Sequence, residues 1–516
     1  MFQLENITID EALMRAVKAY PSNDAIAYDG KHWSYEQFNS IVDSIARKLV
    51  NIGVTHGSHV GIWCEAEPNA VFSLFAIERI GAVAVMINTS LKEKEVASVL
   101  EYTDVEYLLI GDGYKDVDYR AIAKTFENTL MGLKNIIYIG LSGDNAGFTV
   151  FDEIAEAGQE ALDEVKSMLK PEDDGLILFT SGTTSTPRAV VGSQYSRANN
   201  ALCQAKDLRT TPSDRFCVAM PIFHCFCLSV NVCAALFSGA CLCLPKSRHI
   251  KDLLDTVEQE HCTILSCVPA LYHAIIMKED LSARDISSLR TGIIGGSSYS
   301  SALFEEIEDT FGITLLSSLG QTEATAGITI ANFDDPISER SSTVGHFMDN
   351  IEYRFVERFE LLIRGYVVMN RYYKDEEGTA AAIDKDGWLH TGDTGFVNEN
   401  GNLMLTGRLK DLIIRGGENI SPREIEAVFD DDDRVQECKA LGVYDSHYGE
   451  EVAFAIIRNG AMAPISKEEV LEKLKHELAN YKIPKHIVFM NDFPRTSTGK
   501  PKTSDLKHQV TEILGL

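Results

Sequence analysis

Between residues 34 and 111 the apolar positions keep switching between a period of 3.6 and a period of 2, which predicts alternating helices and strands. Ser34-Tyr-Glu-Gln37 reads as a capping box, Phe38, Ile41, Val42, Ile45 and Leu49 follow at helical spacing, and Gly53 closes the helix. A strand is then expected over 59–63, a helix over 70–80, a strand over 83–87, a helix over 96–102 and a strand over 106–110. The same units recur over 174–317, with strands near Leu176, Cys217, Ala240, Ile264, Gly292 and Leu315. Parallel strands need a crossover and helices cover the faces of the sheet, so the pattern predicts an α/β fold built on mostly parallel sheets.

The character changes at Gly407-Arg-Leu-Lys-Asp411. Beyond it lies a compact α+β module with helix starts at Ser421-Pro-Arg-Glu424 and Ser466-Lys-Glu-Glu469, both written as capping boxes, and strands over 437–444, 452–457 and 486–490. It ends in Pro494-Arg-Thr-Ser-Thr-Gly-Lys500, an extended, exposed-looking loop whose lysine follows a glycine; by itself that lysine reads as solvated. No internal repeat or low-complexity linker interrupts the 516 residues.

Composition narrows the function. A formal charge of −28 and the lack of a basic run exclude nucleic acid or an anionic membrane as a general partner, while leaving room for local anion sites. The acidity sits mostly in the front part, because beyond residue 410 the chain has 14 Lys+Arg against 19 Asp+Glu. Residues 216–245 carry no charge and are long enough to span a bilayer, but Pro221, His224, Ser229, Asn231 and Gly239 break the run, so strand, helix, strand within a core is expected and no membrane span. The N-terminus has no basic start and apolar stretch of a signal peptide, and the C-terminal Leu-Gly-Leu is no peroxisomal address; a cytoplasmic protein is expected. Eleven cysteines without a C-x-x-C pair read as free, buried, small hydrophobes.

One stretch carries phosphate chemistry. Leu176-Ile-Leu-Phe179 is a strand that runs into the hydroxyl-rich Thr180, Ser181, Gly182, Thr183, Thr184, and Arg188 follows. Backbone N–H groups and hydroxyls there can donate to phosphate oxygens, and a guanidinium offers the matching fork. A Ser/Thr-rich surface turn explains the same residues, since the loop lacks the G-x-x-x-x-G-K-[ST] fingerprint.

Further motifs decide between them: Pro221-Ile-Phe-His224, Gly295-Gly296, Gly320-Gln-Thr-Glu323, Gly387-Trp-Leu-His-Thr-Gly-Asp393, Gly407-Arg-Leu-Lys410, Gly416-Gly-Glu-Asn-Ile420 and Lys500. In this order, with the phosphate loop, they resemble the adenylate-forming superfamily of acyl-CoA synthetases, luciferases and peptide-synthetase adenylation domains over nearly the whole chain. The resemblance implies a large N-terminal domain (1–407) of stacked, parallel-rich sheets and helices with a small β-barrel part, a hinge (408–410) and a small mobile α+β C-terminal domain (411–516). It implies ATP, Mg2+ and coenzyme A.

Roles follow by the same resemblance. Lys500 bridges the substrate carboxylate and the α-phosphate, Thr322 lies near that phosphate, and Glu323 is the magnesium-associated carboxylate. Asp393 accepts from the ribose hydroxyls, and Arg408 contacts ribose and phosphate. Gly295, Gly296 and Ser297 form one wall of the adenine slot, and Ser318, Leu319, Gly320 and Gln321 the other. Lys410 is the hinge, about which the small domain swings to present Gly416 and Gly417 to a pantetheine arm. The chain departs from the family pattern at Ser185, Arg188, Ala189 and Leu319, where glycine, lysine, glycine and an aromatic residue are usual. Positive charge is kept at 188, and stacking on adenine is lost at 319.

The acid is expected to lack an α-amino group, because His224 follows Phe223 where amino-acid-activating relatives place an aspartate. Phe223, His224, Cys225, Asn231, Ala324 and Ala326 outline an apolar acyl pocket, so a fatty or otherwise apolar acid is favoured; the same small residues also read as packed core. Coenzyme A is favoured as acceptor, since ligases that load carrier proteins often hold an insertion in the large domain, whereas 345–365 is short and reads as lacking a hairpin. Transfer to a carrier-protein phosphopantetheine is the alternative. A degenerate member that binds nucleotide or acyl-adenylate without turnover is the reading from another class. The partners expected are therefore a small carboxylic acid, CoA and possibly a carrier protein, on a monomer or homodimer.

Overall fold

The computed structural model describes residues 2–180, 188–297, 299–415, 418–445, 448–496 and 500–516. The strands expected before residue 140 join the phosphate-loop strand in one eight-stranded sheet. From edge to edge it runs Arg371–Tyr372, Arg188–Ser193, Asp174–Thr180, Val83–Met86, His59–Trp63, Tyr107–Ile110, Asn135–Tyr138 and Thr149–Val150. All neighbours from Asp174–Thr180 to Thr149–Val150 are parallel; the two pairs at the other edge are antiparallel. A second, seven-stranded sheet runs Thr314–Ser318, Thr291–Gly295, Ile264–Leu265, Arg215–Cys217, Cys241–Leu244, Asp24–Tyr28 and Lys31–Ser34, parallel except for the last hairpin.

The largest core draws side chains from both sheets and from the helices Ile9–Ala19, Tyr35–Asn51, Pro68–Arg79 and Gln194–Asp207. Every residue of Pro68–Arg79 except Asn69 is buried, which is why its pattern shows little amphipathicity. Two buried ion pairs tie these helices together, Arg79 Nε to Asp10 Oδ1 at 2.7 Å and Arg197 to Glu78. The uncharged stretch 216–245 is strand, helix, strand as expected, with the π-helical turn Phe226–Cys233 running into Ala234–Phe237. Among the described residues no helix is long and apolar enough to cross a membrane. All eleven cysteines are free; nine are buried, and Cys225 and Cys438 are half-buried.

The small barrel part is a four-stranded antiparallel sheet, Ile351–Phe355, Glu360–Gly365, Leu389–Val397 and Leu403–Arg408. Its first two strands correct the expectation of a lost hairpin at 345–365. They pair directly around the turn Glu357–Phe359, where Arg358 and Phe359 both take positive φ, 60° and 58°. The chain then passes through Leu409–Asp411 into a second module, whose sheet contains Glu418–Ile420, Ile413–Arg415, Gly449–Arg458, Val435–Asp445 and His486–Met490. Ser466 forms its capping box on Lys467–Glu477. Ser421 does not cap Pro422–Glu426, because its hydroxyl donates instead to the Thr406 carbonyl on the preceding strand.

Candidate active site

Parallel strands leave their carboxyl ends on one edge of the sheet, where loops are free to hold ligands. Thr180 ends its strand in the eight-stranded sheet, and Gly295 and Ser318 end theirs in the seven-stranded one. These ends, the four-stranded sheet and the C-terminal loop enclose a cavity of about 770 Å³. Its wall includes Thr180, Arg188, Gly295, Gly296, Ser318, Gly320, Gln321, Thr322 and Glu323, together with Phe223, His224, Cys225, Ala326, Arg408, Lys410 and Lys500. Thr180 and Arg188 are the last pair of the hairpin that carries the phosphate loop. Ser181, Gly182, Thr183 and Thr184, like Gly416 and Gly417, lie outside the described residues.

Five expected residues do not line the cavity, for geometric reasons. Side chains alternate across extended backbone, so Ser318 and Gly320 face the cavity while Leu319 between them turns into the core, 8 % exposed. Ala324 closes the turn Thr322–Ala324 and points into the same core. Asn231 is fully buried next to Val230, which does reach the cavity; a step of one helical residue turns the side chain away, and its amide atoms find no hydrogen-bond partner among the described residues. Ser297 lies beyond the strand end, half-buried. Asp393 sits one layer behind the wall, 3 % exposed, held by Gln321 Nε2 at 2.5 Å and Arg408 Nε at 2.7 Å.

Lys500 reaches the site because its loop folds back on itself. Thr496 N donates to the Lys500 carbonyl at 2.7 Å, Lys500 N donates to Thr496 Oγ1 at 3.2 Å, and Arg495 bridges Pro501. The ε-amine has no ion-pair partner among the described residues. Burial, with Arg408 nearby, lowers its pKa from the usual lysine value, while Cys225 and Asp393 oppose the shift. His224 Nε2 has no hydrogen-bond partner among the described residues, and burial, then Lys500 and Arg248, push the ring down to about 4, so it is neutral at pH 7. Asp393 is raised by burial, against the pull of Arg408 and Gln321. The Cys225 thiol, 3.7 Å from Thr322 Oγ1, is raised by burial and is no nucleophile at neutral pH.

The wall fits a nucleotide on steric and chemical grounds. A Cβ added to Gly295 would fall 2.8 Å from the carbonyl oxygen of Ser318 on the paired strand, and Gly296 has a φ of +85° that favours glycine, so both positions present bare backbone to the cavity. Thr180, Arg188 and Lys500 offer hydroxyl and cationic donors for phosphates, and Glu323 offers the hard oxygen that magnesium takes. Sequence reasoning missed Tyr372, Glu360 and His390, which also line the cavity. Tyr372 donates to Glu323, and Glu360 accepts from Gly392 N at 3.3 Å and contacts His390 Nδ1 at 3.1 Å. His390 belongs to the Gly387–Asp393 motif and was open to notice; no local pattern marks Tyr372.

The family model described as AMP-binding enzyme matches residues 13–373, and that of the AMP-binding enzyme C-terminal domain matches 424–500. The chain is 34% identical over 548 residues to a protein of Bacillus subtilis (strain 168) named putative acyl-CoA synthetase YngI, covering 100% of this chain and 99% of that one. It is 30% identical over 550 residues to the mitochondrial medium-chain acyl-CoA ligase ACSF2 of Homo sapiens, covering 99% and 89%. In fold it is similar to the anthranilate CoA ligase AuaEII in complex with anthranoyl-AMP, with a TM-score of 0.86, 23% identity and 100% and 99% of the two chains covered. The chain belongs to the AMP-binding enzyme family and is an acyl-CoA synthetase-like acid–thiol ligase, which activates a carboxylic acid with ATP and Mg2+ and ligates it to coenzyme A.

Proposed function

We propose that the acid is a fatty or otherwise apolar monocarboxylic acid, and that Lys500 carries its activation. The observation that supports this most is the amine of Lys500, without an ion-pair partner among the described residues and buried in the cavity near Gly296 and the neutral His224. A carboxylate oxygen attacks the α-phosphorus, the bond from that phosphorus to the β-phosphate oxygen breaks, and pyrophosphate leaves. Both reactants are anions, so a cation fixed at the reacting centre lowers the barrier in a site with little water to screen it. Thr180 and Arg188 hold the β- and γ-phosphates, and Thr322 lies toward the α-phosphate. When bound, magnesium on Glu323 neutralises phosphate charge. Gly295, Gly296, Ser318 and Gly320 flank the adenine, and Arg408 and Asp393 face the ribose.

The second half follows in the same site. The module beyond residue 411 rotates about Lys410, removes Lys500 and brings Gly416 and Gly417 to the cavity; the thiol of coenzyme A then attacks the acyl carbonyl and AMP leaves. The apolar acid reading is supported by Phe223, Phe226, Val230, Val268 and Ile293 on the wall, and by the medium-chain acids in the name of the human relative. Pyrophosphate exchange against a panel of carboxylic acids tests it: exchange is expected with alkanoic acids and not with α-amino acids or dicarboxylic acids of similar size. Adding coenzyme A to the active acids is expected to yield thioester. Exchange without thioester would point to a carrier-protein acceptor, and no exchange with any acid to a binder without turnover.

A further inference from the structure

Three elements meet at the phosphate end of the cavity. Glu323 lies in the turn Thr322–Ala324, Arg188 opens the strand Arg188–Ser193, and Tyr372 closes the edge strand Arg371–Tyr372. Tyr372 is 5 % exposed, its hydroxyl donates to Glu323 Oε1 at 2.9 Å, and the Arg188 guanidinium carbon lies 4.9 Å from its ring centroid.

The segment around it is pinned on every side. Asn370 N donates to Val191 O at 2.9 Å and Tyr373 N to Ala189 O at 2.8 Å. Tyr372 N donates to Thr379 Oγ1 at 3.0 Å, and Arg371 pairs with Asp174 at 2.6 Å. Met369 N donates to the Glu323 carbonyl at 2.9 Å, so the 369–372 segment holds both the backbone and the side chain of Glu323.

A carboxylate and a guanidinium on one wall attract each other, and in contact they form a bidentate pair that neutralises both. We propose that Tyr372 is a positioning residue that keeps Glu323 and Arg188 apart, its hydroxyl presenting the carboxylate to magnesium and its ring carrying the guanidinium that meets the polyphosphate. The inference rests on the roles given to Glu323 and Arg188 above. An arginine suits this arrangement because its flat cation can lie over the ring and still offer further N–H donors to phosphate.

The test is calorimetric binding of a non-hydrolysable ATP analogue to the whole enzyme, with and without magnesium, for the parent, Tyr372→Phe, Tyr372→Leu and Glu323→Gln, with melting temperatures to confirm folding. Tyr372→Phe keeps the ring and loses only the hydroxyl. Its magnesium-dependent gain in affinity is expected to fall about 10-fold, with the magnesium-free affinity within about twofold of the parent. Tyr372→Leu is expected to lose about threefold of magnesium-free affinity as well, because Arg188 loses its platform. If Tyr372→Phe keeps the full gain while Glu323→Gln loses it, the positioning role is wrong and the reading of Glu323 stands. If Glu323→Gln also keeps it, that reading falls and takes the inference with it. An equal loss with and without magnesium in Tyr372→Phe also overturns the proposal, since it marks a merely structural residue.

Discussion

Asp393 and Arg408 stand opposite each other in the antiparallel ladder of Leu389–Val397 and Leu403–Arg408, and their side chains form a 2.7 Å ion pair across it. The pair is lopsided: the carboxylate side chain is 4 % exposed and the arginine 46 %. Removing either partner therefore leaves different things behind. Arg408→Gln strands a buried carboxylate with Gln321 as its remaining donor, and a cost of about 2–3 kcal/mol at pH 7 is expected. Asp393→Asn leaves an arginine that can turn to water, at about 1 kcal/mol or less. Melting temperatures of the two variants check the order. The Arg408→Gln deficit should also shrink as the pH falls, because burial already raises the Asp393 pKa and protonation removes the stranded charge.

Lys500 belongs to the C-terminal module and yet sits against Gly296 of the large one. Lys500→Ala is expected to lower acyl-AMP formation about a hundred- to a thousandfold, and to leave most of the thioester formation from supplied acyl-AMP. Measuring the two half-reactions separately decides this; equal losses would sink the two-state scheme. The amine must be charged to act, and its pKa is lowered, so the alkaline fall in adenylation should come closer to neutrality than for an ordinary lysine. In Lys500→Arg, whose side chain stays protonated, that fall should disappear even if the rate is low.

Glu67 lies outside the active site and offers a pH test of the fold alone. Burial, with Asp112 and Glu65 adding repulsion, raises its pKa to about 7. Between about 4.5 and 7 the native state holds a proton that the unfolded chain has released, so this contribution to stability falls as the pH rises through that window and is flat above it. Glu67→Gln keeps an acceptor for the Cys64 thiol, 3.6 Å from Glu67 Oε2, and removes the charge. It is expected to melt higher than the parent at pH 8, by on the order of 1–3 kcal/mol, and to match it near pH 4.5.

The parallel α/β frame was legible because each period switch recorded a crossover, and the strand expected over 59–63 is His59–Trp63 to the residue. Gly295, Gly296 and Glu323 were legible as motif members. What escaped depends on which way a side chain points or on contacts between distant segments. Leu319 was placed on the adenine wall by motif position, but alternation along the backbone turns it into the core. Tyr372 meets Glu323 from 49 residues away, and Arg197 meets Glu78 from 119, and no local spacing encodes either contact. Ser421 carried a capping box in its sequence, and a tertiary acceptor took its hydroxyl.

That misplaced cap supplies a test of domain movement. Thr406 lies in the strand Leu403–Arg408 and Ser421 starts the helix Pro422–Glu426, so the bond from the Ser421 hydroxyl to the Thr406 carbonyl spans Lys410, the hinge proposed above. Ser421 is 6 % exposed, and a rotation that withdraws Lys500 must break this bond. A neutral hydrogen bond of this kind is worth about 1 kcal/mol. Ser421→Ala should therefore slow acyl-AMP formation about fivefold, by populating less of the arrangement that holds Lys500 in the cavity. Thioester formation from supplied acyl-AMP should stay the same or rise. A variant that slows both half-reactions alike, with a lower melting temperature, would show that the bond supports the fold rather than one of its two arrangements.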